Sequence, residues 1–328
     1  MSHSSRNLTL VADIGGTNTR VALADGVTLR DGSVRRFRNA DNSSLEDVLN
    51  KYFEEFPCTP QSACSAIAGP VKDGKGTLTN LDWTVDREML RNLTGAENTS
   101  VINDLQAQGH AVEHLGEAQT SIISKGATAS SHAARLVIGV GTGFNAAAVY
   151  RTEQMTVVPP AEAGHVDLPT RSVESRALAV YLNREYGFAS VEDALSGRGL
   201  ERIYSWLQET HGQNNSKSAS EIMSAVESQT DPIAAEAVGV FCRVLGAVAG
   251  NLALTLLPFG GIYLIGGVAR AMLPYMESAG FQTAFADKGR FTDFMAQFPI
   301  SAITDDYAAL IGMAALMDEI RHGTEPRS

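Results

Sequence analysis

Two short glycine-rich segments contain residue types that are suited to binding phosphate groups. Each follows an apolar, strand-like stretch; the segments are Asp13-Ile14-Gly15-Gly16-Thr17-Asn18 and Gly139-Val140-Gly141-Thr142-Gly143. Glycines at a hairpin tip expose backbone N–H groups, and Thr17 and Asn18 add side-chain donors for phosphate oxygens. The carboxylate of Asp13 can hold Mg²⁺ through the hydration shell of the metal. One such turn is equally typical of an ordinary Gly-Gly hairpin, but two in one chain favour a nucleotide-phosphate site.

A third glycine pair, Gly266-Gly267, follows the apolar residues 262–265 and precedes a helical pattern. Glycine in this position lets a ligand or another backbone approach closely. The pair is therefore suited to contact a flat adenine or its ribose.

Residues 69–77 match the P-loop pattern of phosphate-binding proteins letter for letter. A P-loop must be followed at once by a helix, because the helix N-terminus receives the phosphate. Here residues 77–83 are typical of strand and turn instead. We therefore predict a hairpin turn at Lys72-Asp73-Gly74-Lys75 and no P-loop.

Hydrophobic periodicity predicts an α/β chain whose plan restarts near its middle. Strands are predicted at 8–12, 20–23, 33–38, 63–68, 99–102, 135–140, 146–150, 262–265 and 300–304. Helices are predicted at 44–56, 86–93, 105–115 and 307–321, after Ser172 and Ser218 as N-caps, and at 232–257, where apolar residues on nearly every face indicate burial. For 328 residues without a low-complexity linker, we expect two lobes and a cleft crossed by several chain passages.

The composition argues against several classes of protein. A formal net charge of −11 and a pI near 5.1 disfavour binding to nucleic acid or to an anionic membrane. The densest basic stretch, Arg35-Arg36-Phe37-Arg38, is expected to be a solvated sheet face. Cys58, Cys64 and Cys242 form no CxxC pair, which disfavours a zinc ribbon or a disulfide scaffold. Because the N-terminal residues are polar and lack a signal-peptide core, we expect a cytoplasmic location.

The ordered motifs resemble those of the bacterial glucokinases, in the superfamily of actin, hexokinase and heat-shock chaperones. The resemblance covers essentially the whole chain, and any one motif is weak while the ordered set is specific. It is carried by residues 13–18, 79–83, 102–104, 139–143, 160–167, 195–200, 250–254, 266–267 and 285–291. A related family of repressors and sugar kinases with a cysteine-rich zinc motif is disfavoured, because no cysteine follows His165 until Cys242.

The resemblance implies an α/β, two-lobed actin-like ATPase (ribonuclease H-like) fold with an interdomain cleft. It implies a small domain of residues 1–114 plus 306–328 and a large domain of residues 115–305. The implied substrates are ATP with Mg²⁺ and a hexose, and the implied assembly is a homodimer.

The resemblance also implies roles for single residues. Asp104 would take the proton from the sugar 6-hydroxyl, while Asn103, Asp104, Glu162, His165 and Glu192 would bind the sugar hydroxyls. Such groups can select stereochemistry through paired hydrogen bonds, and a carboxylate is the usual base in phosphoryl transfer to an alcohol. The residues implied to bind ATP are Asp13, Ile14, Gly15, Gly16, Thr17, Asn18, Gly141, Thr142, Gly143, Gly266 and Gly267, with Asp13 binding Mg²⁺ through water.

Simpler interpretations exist for the sugar-binding candidates. Asn103-Asp104 could cap the following helix, Glu162 and His165 could be exposed loop residues, and Glu192 could be an acidic residue near a helix start. Alternative functions are a kinase for another hexose or a weakly catalytic sugar-sensing ATPase; the presence of Asp104 favours the kinase.

The sequence departs from the family at three positions. Ala12, Ala163 and Asn145 stand where glycine is common. Asn tolerates left-handed backbone angles, so Asn145 is expected to be a mild change, whereas Ala163 would be strained if its φ is positive. These departures bear on the choice of hexose more than on catalysis.

Overall fold

The structure is a computed structural model that describes residues 7–78 and 81–324. Thr79 and Asn80, which open the motif at 79–83, lie outside the described residues, as do Met1–Arg6 of the polar N-terminus. The strands are β1 (Leu8–Ile14), β2 (Asn18–Asp25), β3 (Thr28–Leu29), β4 (Arg35–Arg38), β5 (Ser62–Ile67), β6 (Val71–Lys72), β7 (Lys75–Thr77), β8 (Thr84–Asp86), β9 (Asn98–Asn103), β10 (Thr120–Ser124), β11 (Arg135–Val140), β12 (Phe144–Arg151), β13 (Thr156–Val157), β14 (Ile262–Ile265) and β15 (Ile300–Ile303).

Two of the α-helices begin after the serines that the sequence predicts as N-caps. They are α1 (Leu45–Glu55), α2 (Arg87–Thr94), α3 (Asp104–Ala111), α4 (Val173–Tyr186), α5 (Val191–Ala194), α6 (Gly197–Thr210), α7 (Ala219–Glu227), α8 (Pro232–Leu256), α9 (Gly267–Met272), α10 (Phe281–Ala286) and α11 (Ala308–Thr324). Ser172 and Ser218 each accept a hydrogen bond from the N–H three residues later, which confirms both predicted N-caps. Helix α8 begins with Pro232 after the cap Asp231.

The described residues pack as two compact units. The first unit takes its described residues from Met1–Gln119, Val149–Pro160 and Asp305–Ser328, and the second from Thr120–Ala148 and Ala161–Thr304. The domain boundaries implied by the resemblance, 1–114 plus 306–328 and 115–305, stay a prediction.

The first unit is built on a sheet in the order β3-β2-β1-β5-β9, with β4 also paired to β2. β1 and β2 form an antiparallel hairpin, while β1, β5 and β9 are parallel. One sheet face packs on α1 and α2, and the other packs on α3 and α11. α3 and α11 lie very close together, since a Cβ atom at Gly312 would be 1.8 Å from the carbonyl oxygen of Ala107. Because β1, β5 and β9 are parallel, their carboxyl ends lie at the same end of the sheet.

A small separate sheet, β6-β7-β8, settles the P-loop question. β6 and β7 pair antiparallel, with Asp73 and Gly74 at positive φ in the turn between them. The strand β7, rather than a helix, follows the turn. The predicted hairpin at Lys72–Lys75 is confirmed, and residues 69–77 do not form a phosphate-binding loop.

The second unit combines the strands β10, β15, β14, β11 and the start of β12 with a helical layer. Helix α8 is long and apolar enough to cross a membrane, but 67% of its most apolar window is buried inside the fold. α8 packs against α6, α7 and α10, and the absence of a side chain at Gly246 lets the backbone of Phe281 approach. The predicted burial of this helix is confirmed.

Candidate functional site

The first phosphate candidate is the β1–β2 hairpin tip of the first unit. The Gly15 N–H donates to the Asn18 carbonyl at 3.0 Å, and Gly16 and Thr17 are exposed. Ile14 is fully buried and anchors the end of β1 in the core, so its side chain is a packing group. The predicted hairpin is confirmed, with Gly16 and Thr17 exposed at its tip.

Asn39 braces this hairpin from outside the motif. Its buried side chain donates from Nδ2 to the Gly15 carbonyl at 2.7 Å and accepts from the Thr19 hydroxyl at 2.8 Å. Its backbone N–H donates to the Thr17 carbonyl at 2.9 Å. Sequence reasoning missed Asn39, because nothing in a single sequence indicates a contact across 24 residues.

Asp13 lies near the end of β1, opposite Arg20 of β2. Its Oδ2 accepts from Arg20 Nη1 at 3.2 Å, and its side chain is 14% exposed. Burial raises the pKa of the Asp13 carboxyl, while the Arg20 guanidinium opposes that shift. Within residues 7–78 and 81–324, no three His, Cys, Asp or Glu side chains form a metal-binding group. A single carboxylate beside a phosphate hairpin suits a metal that is held through water and phosphate oxygens.

Asn103 and Asp104 lie at the junction of β9 and α3. Asn103 forms a capping box: its Oδ1 accepts from the Gln106 N–H at 2.7 Å, and Gln106 Oε1 accepts from the Asn103 N–H at 3.1 Å. The capping interpretation is therefore correct for Asn103, and it uses only the amide oxygen, so the Nδ2 group can still serve a ligand. Asp104 is the first helical residue and is exposed, with Oδ1 accepting from the Leu105 N–H at 2.8 Å.

Strand register brings Asp104 and the β1–β2 hairpin to the same end of the sheet. Ile14 lies opposite Ile67 of β5, and Ile67 lies opposite Asn103 of β9. Neighbouring strands are about 4.8 Å apart, so β1 and β9 are separated by about 10 Å. In an α/β sheet this carboxyl edge is where ligands bind.

The second phosphate candidate is the turn between β11 and β12. The Gly141 N–H donates to the Gly143 carbonyl at 2.9 Å, and Thr142 is exposed. Gly266 has a φ of +106°, and a Cβ atom there would lie 2.3 Å from the Val140 carbonyl oxygen. The backbone at Gly266 thus runs directly against Val140, whereas a Cβ atom at Gly267 would meet nothing within 4 Å. Contact of this pair with adenine or ribose stays a prediction.

Glu192 is held against this same turn. Its Oε2 accepts from the Phe144 N–H at 2.9 Å, and a Cβ atom at Gly143 would lie 2.5 Å from that oxygen. Ser190 caps the short helix α5 that carries Glu192, so the residue is indeed near a helix start. Its carboxylate nevertheless points to the glycine turn, where it is partly exposed.

Glu162 and His165 lie in and beside a 3₁₀ turn, Ala163–His165. Their side chains are 56% and 65% exposed, and Glu162 Oε2 lies 4.0 Å from His165 Nε2. Gly164 packs below them, where a Cβ atom would be 2.1 Å from the Phe144 carbonyl oxygen. The second unit therefore gathers Glu162, His165 and Glu192 around the turn at 141–145.

The family departures are accommodated without strain. Ala163 has no positive φ, and Asn145 lies in β12 rather than in a left-handed conformation. The expectation that Asn145 is tolerated for its left-handed backbone is therefore wrong. Its side chain instead bonds to Ala161 and Ala163.

Comparisons with known proteins agree with this arrangement. The family model Glucokinase matches residues 10–320. A glucokinase from Erwinia tasmaniensis is 34% identical, covering 93% of this chain and 95% of the relative, and one from Chelativorans sp. is 35% identical, covering 93% and 90%. The crystal structure of a glucokinase from an Antarctic psychrotroph is 31% identical with a TM-score of 0.85, covering 95% of this chain and 99% of that one. The actin-like α/β kinase fold is confirmed, and the chain belongs to the glucokinase family.

Proposed function

We propose that this chain transfers the γ-phosphoryl group of ATP to the 6-hydroxyl of D-glucose, giving glucose 6-phosphate and ADP, with Asp104 as the base. The observation that carries the proposal is the shared sheet edge of the first unit. The phosphate hairpin and Asp104 lie about 10 Å apart there, by strand spacing. An exposed carboxylate at this edge suits a role toward the acceptor hydroxyl.

The reaction needs one proton transfer and one exchange of bonds at phosphorus. The sugar O6 attacks the γ-phosphorus while Asp104 accepts the O6 proton, and the bond from γ-phosphorus to the β,γ-bridging oxygen breaks. The electron pair stays on that oxygen, which leaves as part of ADP. Asp104 lies on the first turn of α3, whose position is fixed by the capping box of Asn103.

We assign ATP binding to the two glycine hairpins and Gly266-Gly267. The N–H groups of Gly16 and Thr17, at the exposed tip of the first hairpin, suit phosphate oxygens, as does that of exposed Thr142 in the second turn. Mg²⁺ bound to the phosphates would neutralise the charge that develops during transfer. Asp13 is the residue that would hold its hydration shell.

The proposed sugar ligands supply both kinds of hydrogen-bonding group. Asn103 contributes the N–H donors that its capping role leaves available, and Glu162 and Glu192 contribute carboxylate acceptors. His165 contributes a ring nitrogen. Each sugar hydroxyl both donates and accepts, so this mixed set can distinguish hydroxyl stereochemistry.

We further propose a cytoplasmic homodimer that uses only small-molecule substrates. The net charge of −11 supports the expectation of no nucleic-acid partner. Size-exclusion chromatography with light scattering tests the dimer: a mass of two chains of 34.9 kDa supports it, and a single-chain mass refutes it.

The function is tested by a coupled assay of ADP release with MgATP and a panel of sugars. The panel comprises glucose, mannose, fructose, N-acetylglucosamine and no sugar, and the product is checked for a 6-phosphate. Turnover that depends on glucose is the expected result. Turnover with another hexose but not with glucose would keep the kinase activity and change the assigned substrate. ADP release that does not depend on sugar would refute the kinase activity.

A further inference from the structure

The side chain of Asn145 hydrogen-bonds to the backbone of the two residues that flank Glu162. From its place in β12, Asn145 donates from Nδ2 to the Ala161 carbonyl at 2.6 Å. Its Oδ1 accepts from the Ala163 N–H at 2.9 Å and from the Ala146 N–H at 2.8 Å. One amide group thus fixes the two backbone neighbours of Glu162 to a strand of the sheet.

The side chains of Glu162 and His165 are not held by packing. Glu162 and His165 are each more than half exposed, so packing does not define where their polar atoms lie. Glu162 makes no capping bond to the turn that follows it. The placement of both groups therefore depends on the backbone of residues 161–165. That backbone is held by Asn145, by the close contact at Gly164 and by the bond from the His165 N–H to the Glu162 carbonyl at 3.2 Å.

We propose that Asn145 is a positioning residue that sets the affinity for the hexose by holding Glu162 and His165 in their binding geometry. The proposal rests on the proposed role of those two residues as sugar ligands. Ala163 also helps to fix this backbone, because alanine has fewer accessible backbone conformations than glycine. Two of the three departures from the family, Ala163 and Asn145, are thus joined by the bond from the Ala163 N–H to Asn145 Oδ1.

The test is the kinetics of Asn145→Ala with glucose and ATP varied separately. Losing the bonds to Ala161 and Ala163 should raise the KM for glucose about 10-fold, on the usual scale of one or two net hydrogen bonds. The KM for ATP and the kcat at saturating glucose should stay within about 2-fold of wild type, because a loosened segment weakens ground-state and transition-state binding alike.

A matched control separates positioning from general loss of stability. Tyr204 is buried in the same unit and donates to Asp231 Oδ2 at 2.8 Å, far from residues 161–165 in the sequence. Tyr204→Phe removes this bond and the one that the Tyr204 hydroxyl accepts from Gln208 Nε2 at 2.8 Å, and it should leave the glucose KM unchanged. If Tyr204→Phe raises the glucose KM as much as Asn145→Ala does, or if Asn145→Ala does not raise it, the positioning role is wrong.

A second pair of variants keeps the inference distinct from the proposed function. Glu162→Gln tests the ligand role itself: if it leaves the glucose KM unchanged, the sugar-site assignment fails. If Glu162→Gln raises that KM and Asn145→Ala does not, only the inference fails. If Asn145→Ala is insoluble, Asn145→Asp is used instead, because it replaces the Nδ2 donor to the Ala161 carbonyl with an oxygen. The same rise in glucose KM is expected for this variant. An unchanged glucose KM overturns the inference.

Discussion

His110 couples the stability of the first unit to pH through the helix that carries Asp104. The residue is 6% exposed on α3, and its Nδ1 has no hydrogen-bond partner. Burial lowers the pKa of His110 from 6.5 to about 4, with the Glu319 carboxylate acting in the opposite direction. The folded chain therefore keeps this imidazole neutral at pH values where the unfolded chain binds a proton.

The sign and size of the effect follow from linkage. Between the two pKa values the unfolded state binds more protons, so stability falls as the pH is lowered from 6.5 towards 4. When the difference in bound protons is integrated from pH 7.5 to pH 5.0, His110 lowers the free energy of unfolding by about 2 kcal/mol. The effect is nearly absent above pH 7.5.

Urea unfolding at the two pH values measures this contribution. His110→Leu should reduce the loss of stability between pH 7.5 and pH 5.0 by about 2 kcal/mol relative to wild type. His132→Ala, at an exposed histidine, is the control and should keep the wild-type pH dependence. If His110→Leu loses as much stability as wild type between the two pH values, the buried neutral imidazole is refuted.

Two further predictions concern the proposed phosphate-binding elements. Gly266→Ala should raise the KM for ATP at least about 10-fold or unfold the second unit, because a Cβ atom at φ +106° would meet the Val140 carbonyl oxygen at 2.3 Å. ATP titration together with thermal melting checks this. A normal KM with a normal melting temperature would contradict the close approach at Gly266. Asn39→Ala should raise the KM for ATP by about 5- to 10-fold and leave the KM for glucose unchanged, since it frees the Gly15 carbonyl and the Thr19 hydroxyl from their brace. Equal changes in both KM values would indicate a general loss of structure instead.

The fold could be predicted where local signals agree. The strands at 135–140 and 262–265 have the bounds that their apolar runs predict, and α4 and α7 begin after the serines that cap them. The strand β10 was missed, since its residues are mostly exposed or half-buried and show no clear alternation. Pairing with β15 forms this strand, and that pairing joins residues far apart in the chain.

The sequence could predict the glycine turns of the candidate site but not the side chains that hold the site in place. Positive φ and close approach leave a local trace, because they select glycine, as at Gly266. The contacts of Asn39 with the hairpin and of Asn145 with residues 161 and 163 leave none, because they span 20 to 24 residues and 16 to 18 residues. The sequence also could not show that Asn103 caps α3 through its amide oxygen alone, so that the proposed ligand role falls to its Nδ2 group.

Replacement of the proposed base tests the central claim most directly. Asp104→Asn keeps the shape of the side chain but removes the carboxylate that accepts the O6 proton, so kcat should fall by about 10²- to 10⁴-fold. Equilibrium binding of glucose and of an ATP analogue should persist, and Asp31→Asn, at an exposed carboxylate of the same unit, should retain wild-type turnover. An Asp104→Asn enzyme that turns over at near the wild-type rate would contradict the account.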